Sequence, residues 1–315
     1  MTAVTAPPAA PVAPPGKPGR RRKGSGGITP PWLFAAPALL VYALVMLYPS
    51  IAGAGSAFTD WSGVGEQRSF TGLANFRELV HDDQALGALR NTLLLTLAIV
   101  VVQNGIGLLL ALGVHTTIKS RMILRVIFFA PVVVSPVMVS FLWKYVYNPA
   151  PDAGLNAALN AIGLGALRQD WLGNPSLAIW SVAFTVIWQC AGYSMVIFLA
   201  GLEGVPAELH ESAMVDGAGT IARFRHITWP LLAPAVTINV MLSTVGGLTL
   251  FTQIIAMTNG GPGYATDTLS TVLYKQAFVY GKFGYSTAVA LVLALFVAAV
   301  SFIQIGYLRS RETTA

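Results

Sequence analysis

Apolar residues in this chain come in long unbroken runs, separated by shorter polar or charged stretches. Six runs are long enough to cross a bilayer, which takes about 20 residues. They cover residues 32–58, 91–118, 123–147, 175–202, 230–257 and 285–308. Each is expected to be a helix, because an isolated strand would leave backbone groups unpaired in hydrocarbon. Pro37, Pro49, Pro131, Pro136 and Pro234 lie in or near these runs. Neighbouring helices or polar side chains can satisfy the carbonyls that prolines free. The expected fold class is all-α, a polytopic membrane protein with six transmembrane helices.

Composition sharpens this picture. Hydrophobic residues make up 55% of the chain and charged residues 10%, whereas roughly a quarter of a soluble domain is charged. The net charge of +6 could suggest nucleic acid, but the basic residues sort by membrane side instead of forming one patch. With the N-terminus inside, the inner segments hold Lys17, Arg20, Arg21, Arg22, Lys23, Lys119, Arg121, Arg125, Arg223, Arg225, Arg309 and Arg311. The outer loops are longer and hold only Arg68, Arg77, Arg90, Lys144, Arg168, Lys275 and Lys282. That asymmetry is the positive-inside pattern. Both termini and residues 204–229 are then expected in the cytoplasm.

The division expected is a disordered basic tail at residues 1–27, a first helix and outer loop at 28–90, a six-helix bundle's remaining core at 91–308, and a short cytoplasmic tail at 309–315. The tail has no apolar block before its charges, so it does not read as a cleavable signal. Of the outer loops, 148–174 carries a short expected helix near Leu155–Ile162. Residues 257–282 contain TNGGPGYATDT, whose glycines and proline suggest a tight exposed excursion. That excursion reads either as an ordinary loop or as a contact for an external partner.

Several chemistries are missing. The spans hold no mid-membrane Asp, Glu, Lys or Arg, the groups that proton- and sodium-coupled carriers usually place in their pathways. There is no G-x-x-x-x-G-K-[ST] phosphate loop and no nucleophile elbow. His81, His115, His210 and His226 are scattered and form no zinc motif. The lone cysteine, Cys190, sits in an apolar run. No catalytic residue, metal site or cofactor is expected.

The stretch ESAMVDGAGTIARFRHITWPLLAP, residues 211–234, stands apart between two apolar runs. Pro206 suits the first position of a helix, with Glu208 and Glu211 near its positive end. Asp216-Gly217 supplies a turn in which glycine can take positive φ. Thr220 is a plausible N-cap for a second short helix carrying Phe224 and Ile227. The product is a helix–turn–helix whose small knob is Ala213, Met214, Val215 and Ala218. Such a knob suits a groove in a partner; the plainer alternative is an amphipathic connector on lipid headgroups.

The spacing of Glu211, Ala213, Asp216, Gly217, Ala218, Phe224, Ile227 and Pro230 resembles the coupling loop of ABC importer membrane subunits, whose pattern is E-A-A-x-x-D-G-A, then F, I and L-P. Ser212 replaces the second alanine and Trp229 the leucine before Pro230. PWLFAAPALLVYALVMLYPS, RVIFFAPVVVSPVMVSFLWKYVYNP and IWQCAGYSMVIFLAGLEGVPAELHE resemble the carbohydrate type, in the first permease of maltose and glycerol-3-phosphate importers. The resemblance implies the type I ABC importer permease fold. It implies cytoplasmic ATPase subunits as partners, with Glu211 facing a basic residue there, a second homologous permease, and an extracytoplasmic solute-binding protein.

A polar or small stripe follows at helical spacing: Asn239, Ser243, Gly246, Gly247, Leu250 and Gln253. The resemblance puts Ser243, Gly247 and Leu250 at positions that contact solute, with Gln189, Gly192 and Tyr193 as further candidates. The stripe reads equally as helix packing. A self-sufficient carrier or channel remains the main rival to an ATP-driven permease.

Overall fold

The computed structural model describes residues 32–65, 68–116 and 119–312. The expected basic tail and residues 313–315 lie outside the described residues. The chain divides into two units, Met1–Ser50 and Ile51–Ala315. Helix α1, Phe34–Ser56, is long and apolar enough to span a membrane and contains a π-helical turn at Ala43–Leu47. Phe34, Val45 and Tyr48 on it are exposed.

In the second unit, α2 is Ala74–His81 and α3 is Asp83–His115. Asp82 caps α3, its carboxylate accepting from the amides of Gln84 and Ala85 at 2.9 and 3.2 Å. α3 therefore begins eight residues before the expected start of the second span. A π-helical turn at Ile99–Gln103 interrupts it.

The third expected span is not one helix. Arg121–Val133 (α4) and Pro136–Val146 (α5) meet at 98°. Val134 is extended and Ser135, at φ −53° and ψ 134°, has left the helical region; Pro136 disfavours the α conformation at Ser135, the residue before it. The carbonyl of Val134 accepts a hydrogen bond from Gln189 Nε2 at 3.0 Å. A side chain from a neighbouring helix thus satisfies the break, as hydrocarbon demands.

Helix α6, Gly154–Ala161, sits where a short helix was expected. Buried Asn156 anchors its loop, donating to the carbonyls of Pro149 and Gln169 and accepting from the indole of Trp171. Helix α7, Pro175–Glu203, is the centre of the bundle. Its N-terminus is set by Pro175 in the first turn and by the Asn174 side chain accepting from Ser176 N. It is apolar all round, as a helix packed on several sides must be. One cluster joins its Val182, Ala183 and Val186 to Leu95, Tyr147 and Ile254; a second joins Met195 and Phe198 to Ala111 and Leu232.

After α7 come α8, Ala207–Val215, and α9, Thr220–Leu231. Helix α10, Ala233–Leu248, is bent 64° from α9, with Pro230 and Pro234 flanking the bend. The expected fifth span, residues 230–257, is corrected in two ways. It bends at its start, and its helix ends at Leu248; α11, Thr252–Met257, follows a separate break. Helices α12, Leu269–Phe278, and α13, Phe283–Glu312, complete the unit. A third cluster joins Val272 and Leu269 of α12 to Tyr285 and Val289 of α13 and to Ala88 of α3. Four helices can cross a membrane by length and composition, or six spans if each bent pair counts as one. Among the described residues the sole β pairing is an isolated bridge between Thr59 and Phe70.

Candidate solute cleft and coupling elbow

Helices α3, α7, α10 and α11 enclose a cleft of about 340 Å³. Of the stripe, Asn239, Ser243, Gly246, Gly247, Leu250 and Gln253 all line it, and so does Tyr193 from α7. Two sequence candidates stand elsewhere. Gln189 sits behind the cleft, accepting from Gln253 Nε2 at 3.4 Å while bonding Val134. Gly192 packs on α4: a Cβ there would collide with the backbone of Phe128.

A buried polar knot runs from the lining, at Gln103, Asn239 and Ser243, into the bundle. Gln103 Nε2 donates to Ser194 Oγ at 2.9 Å, and Ser194 Oγ donates to Asn104 Oδ1 at 3.3 Å. Asn104 Nδ2 donates to Ser243 Oγ at 2.9 Å, and Ser243 donates to the carbonyl of Asn239 at 2.7 Å. Three helices are held by this chain. Ser243 is therefore a packing group as well as a lining one. Asn239 Nδ2 reaches the carbonyl of Ser194, but its buried Oδ1 has no hydrogen-bond partner among the described residues. Gln103 and Asn104 escaped the sequence reading, although a paired amide inside an apolar run was a visible signal. Of the two glycines, Gly247 is tight, with a Cβ 2.8 Å from Thr96 Cα, while Gly246 opens on free space.

The TNGGPGYATDT loop is only in part the exposed excursion expected: Asn259, Gly263 and Tyr264 are exposed, but its closing residues turn inward. Thr266, Asp267 and Thr268 are completely buried. Asp267 Oδ1 pairs with Lys275 Nζ at 2.8 Å and accepts from Thr271 Oγ1 at 3.0 Å. Its Oδ2 accepts from Gln84 Nε2 at 3.0 Å. Asn91 of α3 donates to the loop carbonyls of Ala265 and Asp267, and Thr268 Oγ1 donates to that of Leu250. The loop is a clasp that fastens the start of α3 to α12. The polar residues that suggested an exposed loop bond to one another inside.

The elbow, α8 to α9, is built as expected. Gly217 takes φ +78°. The amide of Ala218 donates to Ala213 O at 2.8 Å and that of Gly217 to Met214 O at 3.1 Å, the paired bonds of a Schellman close. Ala213 and Ala218 thus form the closure itself. α9 opens at Thr220, with Gly219 as its N-cap residue, one position earlier than expected. The rings of Phe224 and Trp229 lie tilted at 47° with centroids 6.2 Å apart, and Ile227 and Pro230 are half-buried. Val215 and Ile221 are 89% and 83% exposed. Glu211 and Asp216 are exposed and form no ion pair among the described residues.

Residues 103–311 match the family model described as binding-protein-dependent transport system inner membrane component. The chain belongs to that family. It is 36% identical to a probable ABC transporter permease protein, YurN, of Bacillus subtilis, over 89% of this chain and 96% of that one. It is 33% identical to the multiple sugar-binding transport system permease protein MsmF of Streptococcus mutans, over 87% and 93%. Among solved structures, a bacterial alginate ABC transporter in complex with an alginate pentasaccharide-bound periplasmic protein matches with TM-score 0.77 at 25% identity, over 89% and 95%. The fold is that of a type I ABC importer permease, and the chain is a membrane-embedded transport subunit, not an enzyme. In this family ATP hydrolysis belongs to separate subunits, which accords with a chain lacking a phosphate loop.

Proposed function

We propose that this permease forms half of the pathway by which a sugar or oligosaccharide is imported, driven by cytoplasmic ATPase subunits that grip the elbow. A second homologous permease completes the pathway, and an extracytoplasmic solute-binding protein delivers the cargo. The sugar assignment draws on the relatives named for sugar and alginate transport. The observation that carries the coupling role is the elbow: a turn closed by paired backbone bonds, presenting bare Val215 and Ile221 beside Glu211, which forms no ion pair among the described residues. Two apolar tips on one closed turn give a partner's groove side chains to seat.

Glu211, Ala213, Asp216, Gly217, Ala218, Phe224, Ile227 and Pro230 then build and present the docking surface. Tyr193, Asn239, Ser243, Gly246, Gly247, Leu250 and Gln253 wall the cleft, with Gln189 and Gly192 setting its shape from behind. The free acceptor of Asn239 suits a solute hydroxyl. The elbow lies toward the end of α3 at His115 and the clasp toward its start. α3 has 33 residues, roughly 50 Å at about 1.5 Å each, more than the about 30 Å of hydrocarbon. That length supports opposite membrane faces, with elbow and both termini cytoplasmic. The domain division of residues 28–90 and 91–308 follows the same reading.

The test is uptake of a labelled oligosaccharide by vesicles reconstituted with all four kinds of subunit. Uptake should require ATP and the binding protein. Gly246→Leu, at a position where an added Cβ meets nothing within 4 Å, should depress it severalfold at unchanged abundance. Gly247→Leu is the poorer probe, since it also pushes on Thr96. Uptake that survives without the ATPase subunits would instead mark a self-sufficient carrier or channel.

A further inference from the structure

Where the elbow turns back beneath the bundle lies a second pocket of about 250 Å³, separate from the solute cleft. His115 at the end of α3, His210 of α8, and Thr220, Arg223 and Thr228 of α9 line it. The rest of its wall is apolar, chiefly from the ends of α3 and α7. No carboxylate is among its lining residues. Arg223 Nη2 reaches only Thr220 Oγ1, at 3.5 Å, and its buried Nε has no hydrogen-bond partner among the described residues. Arg125, at the same end of the bundle, has Glu203 as counter-charge at 2.9 Å. Arg223 forms no ion pair among the described residues.

A buried N–H of a cation without an acceptor carries a desolvation penalty that a ligand oxygen would remove. The planar guanidinium matches two oxygens of an oxyanion at once. Two imidazoles and two hydroxyls around it can donate to the remaining oxygens. We propose that this pocket is an oxyanion site for a phosphate-type group, and that its occupant ties the elbow to the ends of α3 and α7. The group could be free phosphate or the phosphate of a lipid headgroup; both present the same oxygens. The site stands on this pocket alone, whatever solute crosses and whatever docks on the elbow.

The experiment uses the full chain in phosphate-free maltoside micelles, with hydrogen exchange of residues 205–228 as the readout. One arm adds inorganic phosphate against chloride at matched ionic strength. The other dopes the micelles with phosphatidylglycerol and no free phosphate. Slowed exchange in the first arm assigns a soluble ligand, and slowed exchange only in the second assigns a lipid. In either arm, Arg223→Gln should shift the midpoint by about tenfold or more, the loss expected for a charge-assisted hydrogen bond. Exposed His115→Gln should shift it in the same direction, and serves if the arginine variant does not fold. No protection in either arm overturns the proposal. So does protection that both variants retain at the same midpoint.

Discussion

The connectors on either side of α10 look alike in sequence and are opposite in structure. Each turns on a glycine of positive φ, Gly217 at +78° and Gly260 at +83°, and each carries one aspartate and threonines. In the elbow, Asp216 is exposed and the bonds that close the turn are backbone to backbone. In the clasp, Asp267 is buried and takes bonds from Lys275, Thr271 and Gln84. One connector spends its polar groups on the bundle; the other leaves its surface for something else. Burial, which composition does not report, makes the difference.

The largest effect that would sharpen this contrast is at the clasp. Asp267→Ala strips the counter-charge from Lys275, whose side chain is 12% exposed, and breaking such a pair costs about 3–5 kcal/mol. Thermal unfolding of the purified permease should show it, whereas Glu211→Ala, on an exposed site, should stay within about 0.5 kcal/mol. Comparable losses would erase the distinction between the two connectors.

A subtler probe is the pair of glycines. Gly217→Ala should cost about 1–2 kcal/mol, the left-handed backbone penalty alone, because nothing lies within reach of the new methyl. Gly260→Ala bears the same penalty, and its methyl would collide with Asp267 Oδ1. The second variant should therefore unfold at a clearly lower temperature than the first; equal midpoints would mean the clasp is loose. Smallest in stability are Val215→Ser and Ile221→Ser, which should shift unfolding by no more than about 0.5 kcal/mol. Both should nonetheless weaken transport-coupled ATP hydrolysis in the assembled transporter.

The helical class, the short helix after α5 and the elbow's turn were legible, because run length, proline and the spacing around Gly217 act locally. The breaks at Val134 and Leu248 were not. Hydropathy continues across both, and what permits them is a distant partner: Gln189 for the first, Thr268 on the Leu250 carbonyl beside the second. The clasp was misread for a related reason. Polar residues and glycines mark a turn, but not whether their bonds go to water or to Gln84 and Asn91, more than a hundred and fifty residues away. A clue was present, since Asp267 is the only carboxylate between Asp216 and Glu312. The stripe of α10 divided likewise: Gly246 opens to the cleft, while Ser243 is held in the knot.

The central claim is that the ATPase subunits grip the elbow's bare tip, and site-directed cross-linking reads it most directly. With Cys190 replaced by serine, Val215→Cys on the elbow and Val64→Cys in the loop between α1 and α2 offer two exposed thiols, at sites 89% and 81% accessible. In assembled transporter, a short thiol cross-linker should join position 215 to an ATPase subunit and leave position 64 unjoined to it. Cross-linking to the ATPase from position 64, with none from position 215, would contradict the account.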